Sequence, residues 1–191
     1  DESQTELSIS NEIAKYVRSK KTFCTYEQLE DDFVKKLGYS EQIVYSAGFV
    51  DGLYRYLPSC LVHYDTIEWS KEKQKQVEGI ASRVYTKANS AGNLYGLVNL
   101  VIEDNSLPIL GNNLYWSETL MADLLSKSKN FNIIGNGQNA FVPIPNKDEI
   151  ENFEDLLYLI LKNQYDGAAN LEDFIEDLRD LGIIKKRITQ G

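Results

Sequence analysis

The feature that most constrains this chain is a pair of helix boundaries between Thr25 and Ser40. Thr25 is followed three residues later by Gln28, which is the capping-box pattern that begins a helix. Gly38 can adopt the left-handed conformation that ends a helix, and Ser40 can cap the helix that follows. The sequence therefore predicts two consecutive helices joined by a short turn.

Hydrophobic spacing extends this prediction. In the first helix, Leu29, Phe33 and Leu37 fall on one face. The second helix is predicted to run from Ser40 to Leu57 and to stop at Pro58, because apolar residues keep a helical spacing through that range. Its predicted inward face consists of Ile43, Ala47, Val50, Leu53, Tyr54 and Leu57.

Strands are predicted on both sides of the helix pair. Residues 22–25, TFCT, are predicted to form one strand, and residues 60–70 are predicted to form two more that fold at Tyr64-Asp65. An earlier helix, capped by Ser10 and reaching Val17, precedes them, and residues 1–8 are expected to fray. The predicted order is helix, strand, helix, helix, strand, strand.

This order resembles the winged-helix family of helix-turn-helix domains. The resemblance is one of topology, and no short motif identifies a particular member. It implies a small helical domain with a three-stranded sheet, and a function in binding nucleic acid or protein.

An imperfect repeat of the order is predicted after Ser70, which caps a long helix. A second helical stripe covers residues 93–105, a short extended segment surrounds Pro108, and Ser117 caps a further helix. Asn136-Gly137 is a strong signal for a hairpin. The middle helix of this repeat is weak, because residues 111–116 predict a turn or a single helical turn.

We therefore expect a mainly α protein with small β-hairpins (α+β), containing tandem winged-helix-like units. The predicted ranges are 1–70 for a first unit, 71–91 for a linking helix, 92–146 for a second unit and 147–191 for an acidic helical segment. That segment holds two amphipathic helices, the second capped by Asn170, and a possible strand over residues 183–188. These elements could open a third unit or pack back on the earlier ones. Because the chain begins at Asp1 without a methionine, we expect it to be a piece of a longer protein.

Charge is distributed unevenly. The net charge is −9, and residues 148–180 alone contribute −9, whereas residues 1–147 contribute −3 and the tail after Asp180 contributes +3. The front of the chain is thus nearly neutral and the back is strongly acidic. No apolar run approaches the roughly 20 residues that span a bilayer, so we expect no membrane association.

Catalytic and metal-binding patterns are not found in the sequence. It has no nucleophile-elbow, P-loop or HExxH motif, and its one histidine, His63, has no evident nucleophile partner. The acid pairs Asp31-Asp32 and Glu172-Asp173 are expected to be solvated. Cys24 and Cys60 are expected to be buried free thiols in a reducing, intracellular compartment, cytoplasmic or nuclear. We therefore expect a protein that is not an enzyme and that has no cofactor and no metal.

Two groups of basic and amide side chains are candidates for contacting nucleic acid. One follows the first helix, and the other lies where the helix capped by Ser117 passes into the predicted hairpin. The candidates are Lys15, Arg18, Lys20, Lys21, Lys127, Lys129, Asn130, Asn132, Asn136 and Gln138. Each group also has an ordinary structural explanation: cations complement a helix C-terminus, and Asn and Gly suit tight turns.

Three functions are compatible with these features. The first is a nucleic-acid-associated regulatory module that contacts DNA mainly through the second wing, although the net negative charge opposes binding to a polyanion. The second is a protein-interaction scaffold that docks a partner through aromatic residues, namely Tyr39, Tyr45, Tyr56 and Trp69. The third is an acidic surface that occupies the groove of a DNA-binding protein. The partner expected is therefore DNA or a protein.

Overall fold

The computed structural model describes residues 2–88, 92–128, 130–131, 133–134, 141–142, 150–180 and 183–184. The chain divides into two compact units, which we call the N-terminal unit (Asp1–Gln76 with Pro108–Leu124) and the C-terminal unit (Val77–Leu107 with Leu125–Gly191). The predicted fold class is confirmed, because the described residues are mainly helical and carry small antiparallel sheets.

The N-terminal unit begins with the elements of the predicted helix and sheet arrangement. They are α1 (Glu2–Ser19), β1 (Cys24–Thr25), α2 (Tyr26–Leu29) continued by a π-helical segment (Glu30–Lys36), α3 (Glu41–Ser46) continued by a 3-10 turn (Ala47–Phe49), β2 (Leu53–Leu57) and β3 (Cys60–His63). The three strands form one antiparallel sheet in the order β1-β3-β2. A small sheet therefore backs the helix pair, as expected.

The predicted caps account for the helix boundaries. Thr25 accepts a hydrogen bond from the backbone N–H of Gln28, and the Gln28 side chain accepts one from the backbone N–H of Thr25. Gly38 has a φ of +76°, and Ser40 accepts from the backbone N–H of Gln42 at 3.3 Å. These contacts satisfy amide groups that a helix leaves without partners at its start.

The prediction of a single helix from Ser40 to Leu57 is wrong. The helix ends at Phe49, and residues 53–57 form β2. The register of β2 against β3 shifts between Arg55 and Leu57, so a β-bulge leaves Tyr56 without a partner on β3. The bulge makes Leu53 and Tyr56 both face inward, and this three-residue spacing imitates the spacing of a helix face.

Two further boundaries differ from prediction. The hairpin turns at Pro58-Ser59, between β2 and β3, and not at Tyr64-Asp65, which follow β3 in a series of turns. Helix α1 begins at Glu2, so residues 2–8 are helical and Ser10 lies inside the helix instead of capping it. Serine is only moderately unfavourable inside a helix, so a single serine does not by itself set a helix boundary.

Two apolar clusters form the core of the N-terminal unit. One packs α1, α2, α3 and the sheet around Val17, Leu29 and Val44, each with no exposed area. The other includes residues of both segments of the unit, with Tyr56 and Ile67 packed against Leu120. The second segment contributes a 3-10 turn (Gly111–Asn113) and the first turns of α6 (Glu118–Ser126), which Ser117 caps as predicted.

The C-terminal unit is mainly helical. Its elements include most of α4 (Lys71–Ala88), then β4 (Gly92–Asn93), α5 (Leu94–Ile102), β5 (Phe141–Val142), α7 (Phe153–Tyr165) and α8 (Leu171–Asp180). Asn93 caps α5, Asn152 caps α7, and the predicted cap Asn170 accepts from the backbone N–H of Glu172. Leu156, Ile160 and Leu178 lie at the centre of its apolar cluster.

The second sheet involves a pairing that the sequence did not predict. β5 pairs antiparallel with β4, with Asn93 opposite Phe141. The predicted Asn136-Gly137 hairpin lies outside the described residues, as does most of the possible strand after Gly182. The predicted domain ranges of 1–70, 71–91, 92–146 and 147–191 describe a repeat architecture and stay a prediction. Within the described part of the chain, no helix combines the length and apolarity needed to cross a bilayer.

Candidate functional site

Helix α3 presents the most exposed aromatic surface of the helix pair. Val44 and Ala47 are buried in the core, whereas Tyr45 is 63% exposed and Phe49 is 76% exposed. Tyr45 lies in α3, and Phe49 lies four residues later in the 3-10 turn that continues it. The winged-helix resemblance predicted from the sequence implies that α3 would be the helix that enters a DNA groove, so these exposed aromatic side chains lie where that resemblance would place contacts to bases.

The charge around this face is acidic. Between Ser40 and Asp51 the charged residues are Glu41 and Asp51, and both are exposed. Arg55, on the adjoining strand β2, places its guanidinium 5.3 Å from the ring centroid of Phe49. Burial raises the pKa of the Tyr26 hydroxyl, and the Arg55 guanidinium opposes this rise. Arg55 is therefore already engaged with Phe49 and Tyr26.

A groove lies between α1 and α3. It has a volume of about 500 Å³, which is within the range of ligand and peptide pockets. Its lining residues are Ile9, Ser10, Ile13, Ser40, Gln42, Ile43, Ser46 and Val50. Ile13 is only 1% exposed and belongs to the core cluster, and Ile9 and Ile43 pack against that cluster. The groove is therefore lined by apolar side chains together with three serines and one glutamine.

Two of the basic candidates at the end of α1, Arg18 and Lys20, already contact other side chains. Arg18 makes an ion pair with Asp65 at 2.7 Å, and the Lys20 ammonium lies 4.1 Å from the ring centroid of Tyr16. The hydrogen bond with Tyr16 raises the pKa of Lys20. Lys15 and Lys21 are exposed. The group is thus only partly available to a phosphate.

The structure describes two of the candidate residues near the predicted second wing, Lys127 and Asn130. Lys127 is exposed, after the end of α6. The side-chain amide of Asn130 donates to the carboxylate of Glu78, which also accepts from the Ser128 hydroxyl at 2.5 Å. Glu78 and Ser128 are buried, so this contact fixes the segment that follows α6. Lys129, Asn132, Asn136 and Gln138 lie outside the described residues.

The four aromatic residues predicted to bind a partner have different surroundings. Tyr45 is exposed, whereas Tyr39 is half-buried with its ring stacked on Phe33 at 6.2 Å. Tyr56 is fully buried, so the expectation that it offers surface to a partner is wrong. Trp69 is half-buried against the edge of Trp116.

Sequence reasoning missed Phe49 as a candidate for the exposed surface. Its position four residues after Tyr45 in a helix could have placed the two on one face.

Both carboxylates of the acid pair Asp31-Asp32 contact neighbouring side chains. Asp31 pairs with Lys35 at 2.6 Å, and Asp32 contacts Lys36 and the Tyr16 hydroxyl. The pKa of Asp32 is lowered, mainly by its hydrogen bond to Lys36. No group of three potential metal ligands occurs among the residues that the structure describes.

The histidine and the thiols are also buried. His63 is 6% exposed, and its Nδ1 accepts from the backbone N–H of Asp65 at 3.1 Å. Burial lowers the pKa of His63 and raises the pKa of the Cys24 thiol to about 11. Cys24 and Cys60 are both buried and free, as predicted. A thiol with so high a pKa is a poor nucleophile at neutral pH.

Comparison with known proteins adds no family to this description: no family model matches the chain, and neither a curated protein nor a solved structure matches it.

Proposed function

We propose that this chain is a non-enzymatic binding module of winged-helix type, and that the face of α3 binds a protein partner. One observation carries the proposal. The helix in the position of a DNA-reading helix exposes Tyr45 and Phe49 and is flanked by acids. We call this surface, made of Tyr45, Phe49 and the adjoining side chains of Gln42 and Ser46, the α3 face.

The arrangement of strands and helices supports the winged-helix part of the proposal. The order α1, β1, α2, α3, β2, β3, with β3 between the other two strands, agrees with the topology inferred from the sequence. A similar start follows in the next segment. Strand β4 ends at Asn93, which caps α5, just as β1 ends at Thr25, which caps α2. Each of these strands also pairs antiparallel with a later strand.

Physical chemistry favours protein over DNA as the partner of the α3 face. Affinity for DNA comes largely from cations that neutralise phosphates, and direct reading of bases uses Arg, Lys, Asn or Gln in the groove. The α3 segment from Glu41 to Phe49 contains Gln42 but no cation. Exposed aromatic side chains are enriched in protein interfaces, where charged side chains are depleted.

The hairpin of the first sheet supports the same preference. β2 and β3 are joined by Pro58-Ser59 alone, so the connection offers two residues and no basic side chain to a phosphate backbone. A protein that uses a wing to contact DNA needs side chains there that can reach the backbone or the minor groove.

The second candidate function is a DNA-associated regulatory module that acts through the second predicted wing. The specific observation in its favour is the exposed Lys127, followed by a segment that the Glu78 carboxylate holds through Asn130. Its test is duplex binding at about 50 mM salt, with charge reversal of Lys127 and Lys129. Binding with a steep salt dependence, lost on reversal, would support this function.

Photo-crosslinking tests the main proposal. A benzophenone amino acid replaces Tyr45, which is exposed and therefore replaceable without loss of folding. The control carries the same group at Tyr158, which is 66% exposed on α7. After irradiation in an extract of the source cells, we expect a discrete adduct at position 45 alone that protease removes and nuclease leaves intact. An adduct that only nuclease removes, or none that differs from the control, would refute it.

A further inference from the structure

The groove between α1 and α3 has apolar lining residues that continue the α3 face. Ile9 and Ile13 contribute from α1, and Ile43 contributes from α3. Within α3, at 100° per residue, the exposed Tyr45 is followed by Gln42, Ser46 and then Ile43 at the groove. Phe49 lies three residues after Ser46 in the 3-10 turn, where residues three apart are in line, so it lies next to Ser46. The exposed aromatic residues and the groove therefore form one continuous surface on the N-terminal unit.

The charges bordering the groove have one sign. Among the residues directly adjacent in sequence to a lining residue, the charged ones with a described side chain are Glu12, Glu41 and Asp51. All three are exposed acids. They belong to three different places: the middle of α1, the first turn of α3, and the turn after Phe49. In each of the three stretches that line the groove, the charged residue next to a lining residue in sequence is therefore an acid.

We propose that this groove binds an apolar segment of the protein partner whose apolar side chains are flanked by lysine or arginine. Aliphatic anchors would fill the space over Ile9, Ile13 and Ile43, and the cations would face Glu12, Glu41 and Asp51. The inference rests on the proposed function, and it specifies the chemistry of the partner. An amphipathic helix in a groove is a common form of such recognition.

Charge also argues against a second copy of the chain as the occupant. The chain has a net charge of −9, so two copies repel each other overall, and the border of the groove would add like charges at short range. A cationic segment gains from both terms. Electrostatic complementarity of this kind contributes most to the specificity and the rate of association.

The experiment uses a defined probe, a fluorescent helical peptide of about 16 residues with leucines at helical spacing and lysines on either side. A second peptide replaces each lysine by glutamate. Binding is measured by fluorescence anisotropy at about 0.15 M salt, where the Debye length is about 8 Å, so charges farther than that from the peptide are largely screened. We expect the lysine peptide to bind and the glutamate peptide to bind at least about tenfold more weakly.

Two pairs of variants locate the site. Ser46→Trp fills the groove without changing the charge, and Ser82→Trp makes the same change at an exposed position of α4. Glu12→Lys reverses one acid at the border, and Glu176→Lys makes the same change on α8. We expect Ser46→Trp to weaken binding of the lysine peptide at least about tenfold and Glu12→Lys about fivefold, while the two controls stay within about twofold. If Ser46→Trp does not fold, Ser10→Trp fills the groove from α1.

Each outcome bears on the inference. Failure of the lysine peptide to bind at about 100 μM, equal binding of both peptides, or equal effects of the groove variants and their controls would overturn it. Crosslinking at position 45 separates this failure from failure of the proposed function. A protein adduct at position 45 that persists in the Ser10→Trp background, which changes the groove but not the α3 face, refutes the groove alone. The absence of any protein adduct in the chain without a groove substitution refutes the proposed function itself.

Discussion

Ser117 links the start of α6 to the backbone carbonyl of Tyr56, which lies at the bulge of β2. The bulge in β2 gives Tyr56 no partner on β3, and the Ser117 hydroxyl donates to the Tyr56 carbonyl oxygen. The same hydroxyl accepts from the backbone N–H of Leu120 at 3.1 Å. Ser117 is 8% exposed, so water cannot readily replace either contact. We therefore predict that Ser117→Ala is strongly destabilising.

The expected magnitude has two parts. Loss of an N-cap costs about 1 kcal/mol, and a buried carbonyl left without a donor costs about 1–3 kcal/mol. The free energy of unfolding should fall by about 2–4 kcal/mol, since the two costs affect different groups. Ser40→Ala is the matched control, because Ser40 caps α3 at an exposed position and loses only the cap. We expect about 0.5–1 kcal/mol there.

Urea denaturation followed by circular dichroism measures both variants. An equal loss in Ser117→Ala and Ser40→Ala would refute the reasoning, because it would show that the Tyr56 carbonyl does not depend on the serine. A change in the slope of the transition, instead of its midpoint, would indicate an effect on the unfolded state or on cooperativity.

Four further predictions follow from individual contacts. Glu78→Ala leaves the Ser128 hydroxyl and the Asn130 amide without their acceptor and should lower the free energy of unfolding by about 2–3 kcal/mol. Glu78→Gln keeps one acceptor and should cost less. Equal costs of the two variants in urea denaturation would argue against the contact. Gly79→Ala should stabilise α4 by about 0.5–1 kcal/mol, because the added Cβ meets nothing within 4 Å. Gly111→Ala should destabilise the protein, because its Cβ would lie 2.8 Å from the Thr66 carbonyl oxygen. Thermal denaturation that shows the same sign for both variants would contradict this. Cys24 and Cys60 should resist a thiol reagent at pH 8 in the folded protein and react in denaturant, and rapid labelling of the native protein would be inconsistent with their burial. The free energy of unfolding should also fall above about pH 9, because the unfolded thiols ionise there while burial keeps the folded thiols protonated. The pKa of His63 is lower in the folded protein than in the unfolded chain, so the unfolded chain takes up a proton at a higher pH. The free energy of unfolding should therefore decline as the pH falls below about 6.5, and His63→Asn should reduce that decline. If the pH profile of the variant is unchanged, the decline is caused by other groups.

Local signals in the sequence were enough to predict most helix boundaries. The caps at Thr25, Ser40, Ser117 and Asn170 are formed by a side chain that bonds an amide two or three residues away. Such contacts depend on neighbours in the sequence alone, and so they can be inferred from it. Gly38 follows the π-helical segment that continues α2, and this stop was also predictable, because glycine adopts a positive φ without strain.

Boundaries that depend on tertiary contacts were not predictable in the same way. Strand β2 was assigned to a helix because its bulge changes the spacing of inward residues from two to three, and the bulge is stabilised by Ser117, which is 61 residues away from Tyr56. Asp51-Gly52 was the available signal, since Gly52 has a φ of +84° and marks the turn before the strand. The pairing of β4 with β5 likewise joins distant residues.

The candidate site was predicted in part. Tyr45 is exposed as expected, but Tyr56 and most of Trp69 are used in packing, because a core next to a small sheet needs large side chains to fill it. Exposure of an aromatic residue depends on which face of its element meets the core. For α3, the predicted inward face included the buried Ala47 and the half-buried Ile43 but missed Val44, which has no exposed area. For β2, it included Leu53 but missed the fully buried Tyr56.

The identity of the molecule that contacts the α3 face is the most direct test of this account. Crosslinking from a benzophenone at position 45, with position 158 as the control, should yield a protein adduct that nuclease leaves intact. An adduct to nucleic acid at position 45 would contradict the account and would favour a DNA-reading role for α3.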